Sequence, residues 1–348
     1  MNIEVLVVTS RFEYLSRCVE SVLDRHGRIT VIVDGYCQQS VSYLKGISET
    51  DPGLKYHVIE QKMGKSAARN FGLRKINADA VYFLDDDAFF GNDNISALEK
   101  LFLEDPSTAV IGGPNLTPHG SGYFQRISGY VFSSLIGAWK MAGRYKVTGR
   151  HFCDDKSLIL CNLAVKFGYV DKVDLNFNEF LKYNEENLLL EALKKKGVKM
   201  MYEPELVVFH ERRKSLSGFT NQVFGSGHGR AQMSFEMPST LSFYHTIPSL
   251  FLLYLSALAV LAAVLPAVFT MKAGLLPFGV YLIVNFVSSV LALARGGESV
   301  AGVPLLMFCT FTAHMAYGAG FIWGALYSGF VRLEKFVSSS EQVEYEKP

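Results

Sequence analysis

Short apolar runs recur through the first two hundred residues, separated by polar stretches with helical spacing. Ile3 to Val8 predicts a strand, and Phe12 to Leu23 an amphipathic helix with Leu15, Val19 and Val22 on one face. Ile29 to Val33 predicts a second strand ending at Asp34-Gly35, and Tyr56 to Ile59 a third. Ser66 to Leu73 opens a helix after Gly64, and Val81 to Leu84 is a fourth strand. This alternation is the signature of α/β units around a largely parallel sheet. Ligands of open α/β sheets bind outside the carboxyl ends of the strands, so Thr9-Ser10, Asp34 and Asp85 to Asp87 are expected to converge on one crevice.

The pattern changes after about residue 245. From Ile247 to Val331 the only formally charged residues are Lys272, Arg295 and Glu298, whereas the whole chain of 348 residues is 19% charged. Ile247 to Met271, Ala273 to Ala294 and Ser299 to Val331 each exceed the roughly 20 residues a helix needs to cross a bilayer. Three crossings are expected, with a re-entrant piece as an alternative for the third, which holds Pro304, His314 and several glycines. Met1-Asn2-Ile3-Glu4 has no basic leader, so the first domain is expected in the cytosol. Arg212, Arg213, Lys214 and Arg230 cluster before the first span and agree with that side; an odd number of spans puts the tail 332–348 outside. The expected division is 1–213, 214–245 as a basic interface segment, 246–331 as the membrane region and 332–348 as a polar tail. Five widely spaced cysteines with no CxxC pair suggest neither a disulfide framework nor a zinc site.

Candidate chemistry begins with Asp85, Asp86 and Asp87, which crowd three carboxylates where a buried strand ends. Adjacent carboxylates raise one another's pKa, and either a hard divalent cation or a solvated turn relieves them. The metal reading takes Asp85 and Asp87 as ligands of Mg2+ or Mn2+, with His210, after the strand Leu206 to Phe209, completing the shell; a structural role is the competing reading for His210. Asp34 can accept from a ribose hydroxyl or base N–H, or belong to an ordinary Asp-Gly turn. Lys65 and Arg69, at i and i+4 near a helix start, suit a diphosphate or form a solvated basic face. Asn184 can cap a helix whose first turn carries Glu185 and Glu186, with Leu189, Leu190 and Leu193 turning Glu186 toward the core.

The segments VLVVTSR (5–11), IVDG (32–35), MGKSAARNFGL (63–73), FLDDD (83–87), CNLAV (161–165) and NEEN (184–187) together resemble glycosyltransferase family 2 over about the first 210 residues. The resemblance implies an α/β GT-A fold, a Rossmann-like mixed sheet flanked by helices, followed here by a transmembrane helical region. It implies a nucleotide-diphosphate sugar donor met by Thr9, Ser10, Arg11, Asp34, Lys65, Arg69, Asp85 and Asp86, and a divalent metal. It further implies inversion at the anomeric carbon, with Glu186 as catalytic base and Glu185 its acidic partner. Glu stands at 186 where the family more commonly has Asp, and Tyr36 and Cys37 replace the usual Ser or Thr.

A sugar hydroxyl needs a base to become a nucleophile, whereas a polyprenyl phosphate is already ionised. The acidic pair therefore favours a hydroxyl on a lipid-linked or polysaccharide acceptor. Arg212, Arg213, Gln222 and Arg230 are candidates for the acceptor phosphate or donor diphosphate, or anchor the chain to the membrane surface. Gln222 does not continue into the QxxRW motif of processive synthases, so transfer of a single sugar is expected. Tyr123 to Trp139, rich in aromatics, is expected to touch the bilayer or acceptor or to pack in the core. A glycosyltransferase acting on polyprenyl phosphate and a non-catalytic membrane scaffold are the alternatives; no nucleic-acid partner is expected.

Overall fold

The computed structural model describes residues 1–171, 174–264 and 272–345, which divide into two compact units, Met1–Lys214 and Ser215–Pro348. The end of the first apolar stretch and the last residues of the expected tail, 346–348, lie outside the described residues.

The first unit is built on an eight-stranded sheet in the order β3-β2-β1-β4-β9-β6-β10-β8. Its leading half is β1 (Ile3–Thr9), β2 (Arg28–Asp34), β3 (Leu54–Ile59) and β4 (Ala80–Asp85), which pair parallel with one another. Helices α1 (Leu15–Leu23), α2 (Gln38–Ser48) and α3 (Lys65–Leu73) connect them. Residues alternate between faces along a strand, and β1 shows the result. Val5 and Val7 pack with Leu15, Val19 and Leu98 on one side, while Leu6 and Val8 pack with Ala68, Phe83 and Leu190 on the other. Strands buried on both faces read as continuous apolar runs, which is why β1, β2 and β4 were visible in the sequence.

One feature differs from expectation. The first helix begins at Leu15 because Phe12 to Tyr14 form a bend and turn that carries the chain away from the end of β1. The second half of the sheet is mixed, since β9 (Leu163–Lys166) runs antiparallel between β4 and β6 (Thr108–Gly112). β10 (Lys199–Tyr202) then pairs parallel with β6 and antiparallel with β8 (His151–Phe152). Helices α4 (Asn94–Glu104), α5 (Tyr123–Ser133), α6 (Leu135–Ala138) and α7 (Glu185–Lys195) complete the unit. A small sheet joins β5 (Ala88–Phe90), β11 (Val208–His210) and β7 (Asn115–Leu116), and its register sets His210 opposite Ala88. The aromatic stretch is divided: Ile127 and Val131 are buried, whereas Tyr123, Leu135 and Trp139 are exposed.

Among the described residues, the second unit holds three helices long and apolar enough to cross a membrane, with candidate spans Ile247–Val264, Gly274–Arg295 and Val300–Arg332. They belong to α9 (Ile247–Val264), α10 (Lys272–Arg295) and α11 (Val303–Tyr345). The third stretch is thus helical throughout, and Pro304 is accommodated in its first turn, where its missing N–H costs nothing. Residues 216–236 form one more helix, α8, that lies directly on α11. Glycines allow the approach: a Cβ on Gly227 would strike the Tyr317 carbonyl, one on Gly320 that of Phe224, and one on Gly324 that of His228. His314 meets the Tyr281 hydroxyl at 3.0 Å, a polar contact between α10 and α11.

Candidate active site

Because β1, β2 and β4 are parallel and adjacent, Thr9, Asp34 and Asp85 finish on the same edge of the sheet, and the cleft outside it is lined by Thr9, Ser10, Arg11, Asp34, Lys62, Lys65, Asp86 and Arg213. Asp34 is buried at this edge and accepts from the backbone N–H of Met63 (2.7 Å) and Gly64 (3.0 Å). It therefore shapes the loop before α3 as well as lining the cleft. Gly64 adopts φ +98°, a conformation costly for any residue with a Cβ. Lys62, which the sequence reading passed over, reaches Ser10 at 3.3 Å.

The three aspartates have separate surroundings. Asp86 receives the Thr9 hydroxyl at 2.8 Å and Arg11 Nε at 3.2 Å. Burial and the neighbouring Asp87 raise its carboxyl above the usual range, and Arg11 offsets part of the rise. Asp87 is contacted by Arg11 Nη2 at 2.6 Å and by His210 Nε2 at 2.8 Å, with Arg213 at 3.8 Å. Burial pushes Asp87 up, but His210, Arg11 and Lys65 outweigh it and hold the carboxyl far below its ordinary value. Asp85 also ends up lowered, because Lys65 and Arg69 prevail over burial. One ligand atom each from Asp85, Asp87 and His210 can be chosen so that all lie within 4.8 Å of one another. Two carboxylate oxygens and an imidazole nitrogen at that spacing are a donor set suited to a hard divalent cation.

Arg69 departs from the expectation that it faces a diphosphate. It is only 6% exposed, and its guanidinium bridges Asp85 (3.1 Å) and Glu185 by a very short contact. Lys65 and Arg69 do share one face of α3, but Lys65 stands at the cleft and Arg69 lies a turn deeper. Its consequence is to join the strand-end aspartates to the start of α7. Asn184 does not cap that helix with its side chain; it takes the left-handed conformation, φ 60°, to turn the chain into it. Glu185 is buried and Glu186 half-buried. Burial and Glu185 push the Glu186 carboxyl above its ordinary range, with Arg144 and Arg69 pulling the other way.

Arg212 likewise proves to be interior. It donates to Thr117 Oγ1 (3.1 Å) and, through Nη2, to Asn115 O (2.7 Å) and Asn115 Oδ1 (3.1 Å), and it lies 5.3 Å from the Tyr145 ring centroid. It is a buried support for the site, not an available diphosphate ligand. Guanidinium only donates, so the Asn115 amide oxygen faces it and the amide nitrogen faces His210 Nδ1 at 3.2 Å. That hydrogen bond places the ring proton of His210 on Nε2, toward Asp87. Arg213, the next residue, points the other way and lines the cleft. Gln222 and Arg230 belong to the second unit, on α8; Arg230 is buried there, with Nη1 3.5 Å from Thr240 O.

Residues 5–164 match the family model of glycosyl transferase family 2. A stretch of 115 residues is 31% identical to glycosyltransferase GlyA of Streptococcus pneumoniae serotype 4, covering 32% of this chain and 16% of that protein. A stretch of 94 residues is 30% identical to an uncharacterized glycosyltransferase of Haemophilus influenzae, covering 26% of this chain and 38% of that one. The matches thus span well under two thirds of either relative. Among solved structures, the mannosyltransferase PcManGT from Pyrobaculum calidifontis, in complex with GDP-Man and Mn2+, is similar with a TM-score of 0.61 at 17% identity, covering 92% of this chain and 87% of that chain. The first unit is a family 2 glycosyltransferase domain with the GT-A fold.

Proposed function

We propose that the protein is a membrane-anchored, inverting glycosyltransferase that moves one sugar from a nucleotide-diphosphate donor to a hydroxyl of a lipid-linked saccharide, its catalytic domain in the cytosol. The observation that carries this reading is the Arg69 bridge between Asp85 and Glu185, which makes the aspartate cluster and the acidic pair one site. The cleft offers Lys62, Lys65, Arg11 and Arg213 to the donor diphosphate, and Thr9, Ser10 and Asp34 to the nucleoside.

Glu186 is the base. As the acceptor oxygen bonds to the anomeric carbon, its proton passes to Glu186, and the bond from that carbon to the diphosphate breaks with its electrons leaving on the nucleoside diphosphate. A carboxyl raised by burial is a stronger base toward a hydroxyl than a solvated one, and such a group contributes a factor of roughly 10² to 10⁴. Asp85 and Asp87 would hold Mn2+ or Mg2+, with His210 beside them as the candidate third ligand. Bound there, the ion would neutralise the diphosphate and stabilise the charge it acquires on departure.

Incubation of the purified protein with a panel of UDP-, GDP- and dTDP-sugars in manganese tests the reading, since even slow donor hydrolysis reports the substrate. Hydrolysis that persists after Asp85 and Asp87 are both replaced by Ala sinks the metal assignment. Turnover that survives Glu186→Gln points instead to an acceptor already ionised, such as a polyprenyl phosphate. No manganese-dependent nucleotide binding by calorimetry would indicate a scaffold without catalysis.

A further inference from the structure

Glu186 does not stand alone at the start of α7. The next side chain, Asn187, is 1% exposed, and its Nδ2 donates to Glu186 Oε1 at 3.2 Å. Behind it Arg144, 4% exposed and placed by the 3-10 turn 139–145, donates from Nη2 to Asn187 Oδ1 at 2.7 Å. The same guanidinium donates to the backbone oxygens of Asp155 (2.6 Å) and Lys156 (2.7 Å), which fix its plane. Since arginine has no acceptor, the amide oxygen of Asn187 must face it, and the amide N–H2 must face Glu186.

We propose that Arg144 and Asn187 are positioning residues for the Glu186 carboxylate: Arg144 orients the Asn187 amide, which holds Oε1 and leaves Oε2 to receive the acceptor's proton. The functional meaning rests on Glu186 being the base. The groups facing Glu186 are Glu185 on its own helix, Arg69 on α3, Arg144 and Tyr145 on the 3-10 turn, and Cys161 before β9. Among these, Glu185 disfavours a second negative charge, and Arg144 acts against it both directly and through a dipole whose positive end touches the carboxylate. The pair thus opposes the effects of burial and Glu185, so that Glu186 remains able to accept a proton near neutral pH.

The full-length protein in detergent micelles, labelled with 13C at the glutamate side-chain carboxyl, allows a direct test. The Glu186 resonance is assigned by its loss in Glu186→Gln and followed through a pH titration. Asn187→Ala removes the donor without adding charge, and the Glu186 titration is expected to move upward by about one pH unit, a tenfold change in proton affinity. Arg144→Lys keeps a buried cation but loses the fork that fixes both Asn187 and the Asp155 carbonyl, so a smaller upward move is expected; it serves alone should Asn187→Ala not fold. In donor turnover, the deficit of either variant is expected to shrink at pH values above its shifted titration, which a merely structural defect would not do. An unmoved Glu186 resonance in the folded variant overturns the relay. Undiminished turnover in Glu186→Gln overturns the base reading instead, whatever the resonance does.

Discussion

Replacing Arg69 by Met removes the cation that lies between the two acidic centres. The side chains concerned are poorly hydrated: Arg69 is 8% exposed, Glu185 9% and Asp85 24%. A buried ion pair adds little net stability over an apolar pair, but deleting one partner strands the other, at a cost of about 3–5 kcal/mol. Glu185 bears most of that cost, because Asp85 keeps Lys65 and part of its hydration. At roughly 2–4 °C per kcal/mol for a domain of this size, the melting transition is expected to fall by about 10 °C near pH 7. Two companions separate causes. Adding Glu185→Gln to Arg69→Met deletes the stranded carboxylate and is expected to restore much of the loss. Lowering the pH should also narrow the gap. The depressed Asp85 carboxyl contributes stability above the ordinary carboxylate pKa that is lost as pH falls through its folded value, and Arg69 supplies part of it. Thermal melts of the detergent-solubilised variants provide the assay. An Arg69→Met melt equal to that of the parent, or a deficit untouched by Glu185→Gln, refutes the bridge.

Manganese affinity, read by calorimetry or electron paramagnetic resonance with no donor present, is expected to vanish in the Asp85→Ala/Asp87→Ala double variant and to fall by about 10- to 100-fold in His210→Ala, the range for residues that orient or supplement a metal's main ligands. Glu186→Gln is expected to cut transfer to a hydroxyl acceptor by a factor of about 10² to 10⁴ while leaving donor binding intact. The same variant should be more stable than the parent at neutral pH: a carboxyl whose folded pKa is raised stabilises the fold when protonated and loses that contribution as pH rises, so the advantage should disappear in acid. Gly320→Leu, assayed by detergent melts and by protease access to α8, is expected to part α8 from α11, since no rotamer relieves a clash with the Phe224 backbone; an unchanged melt and digestion pattern would refute the seam.

β1, β2 and β4 were legible because each is buried on both faces and therefore largely apolar, and the acids at the ends of β2 and β4 were visible as charge placed against that background. The antiparallel β9 was not, since Leu163 to Lys166 has the same apolar character whichever way it pairs, and nothing local records its insertion between β4 and β6. Arg69 was misplaced for a related reason. Its spacing from Lys65 correctly gave a shared helix face, but spacing carries no depth, and depth decides whether a cation meets solvent or Glu185. Arg212 and Arg213 looked equivalent as neighbours in a basic cluster. In extended chain after β11, adjacent side chains point apart, so one enters the interior and the other lines the cleft.

Two of the buried arginines follow the same logic. Arg212 fixes Asn115, which assigns the tautomer of His210 toward Asp87; Arg144 fixes Asn187, which holds one oxygen of Glu186. In each case a side chain that can only donate sets the sense of an amide, and the amide presents its own donor to the neighbouring ionisable side chain. Where Arg11 and His210 touch Asp87 together, the carboxyl is held far below its ordinary value. An interposed amide transmits direction with less charge. Asp85 and Asp87 are thus held low by neighbouring cations, whereas Asp86 and Glu186, where burial and an adjacent carboxylate prevail over the nearby arginines, are raised.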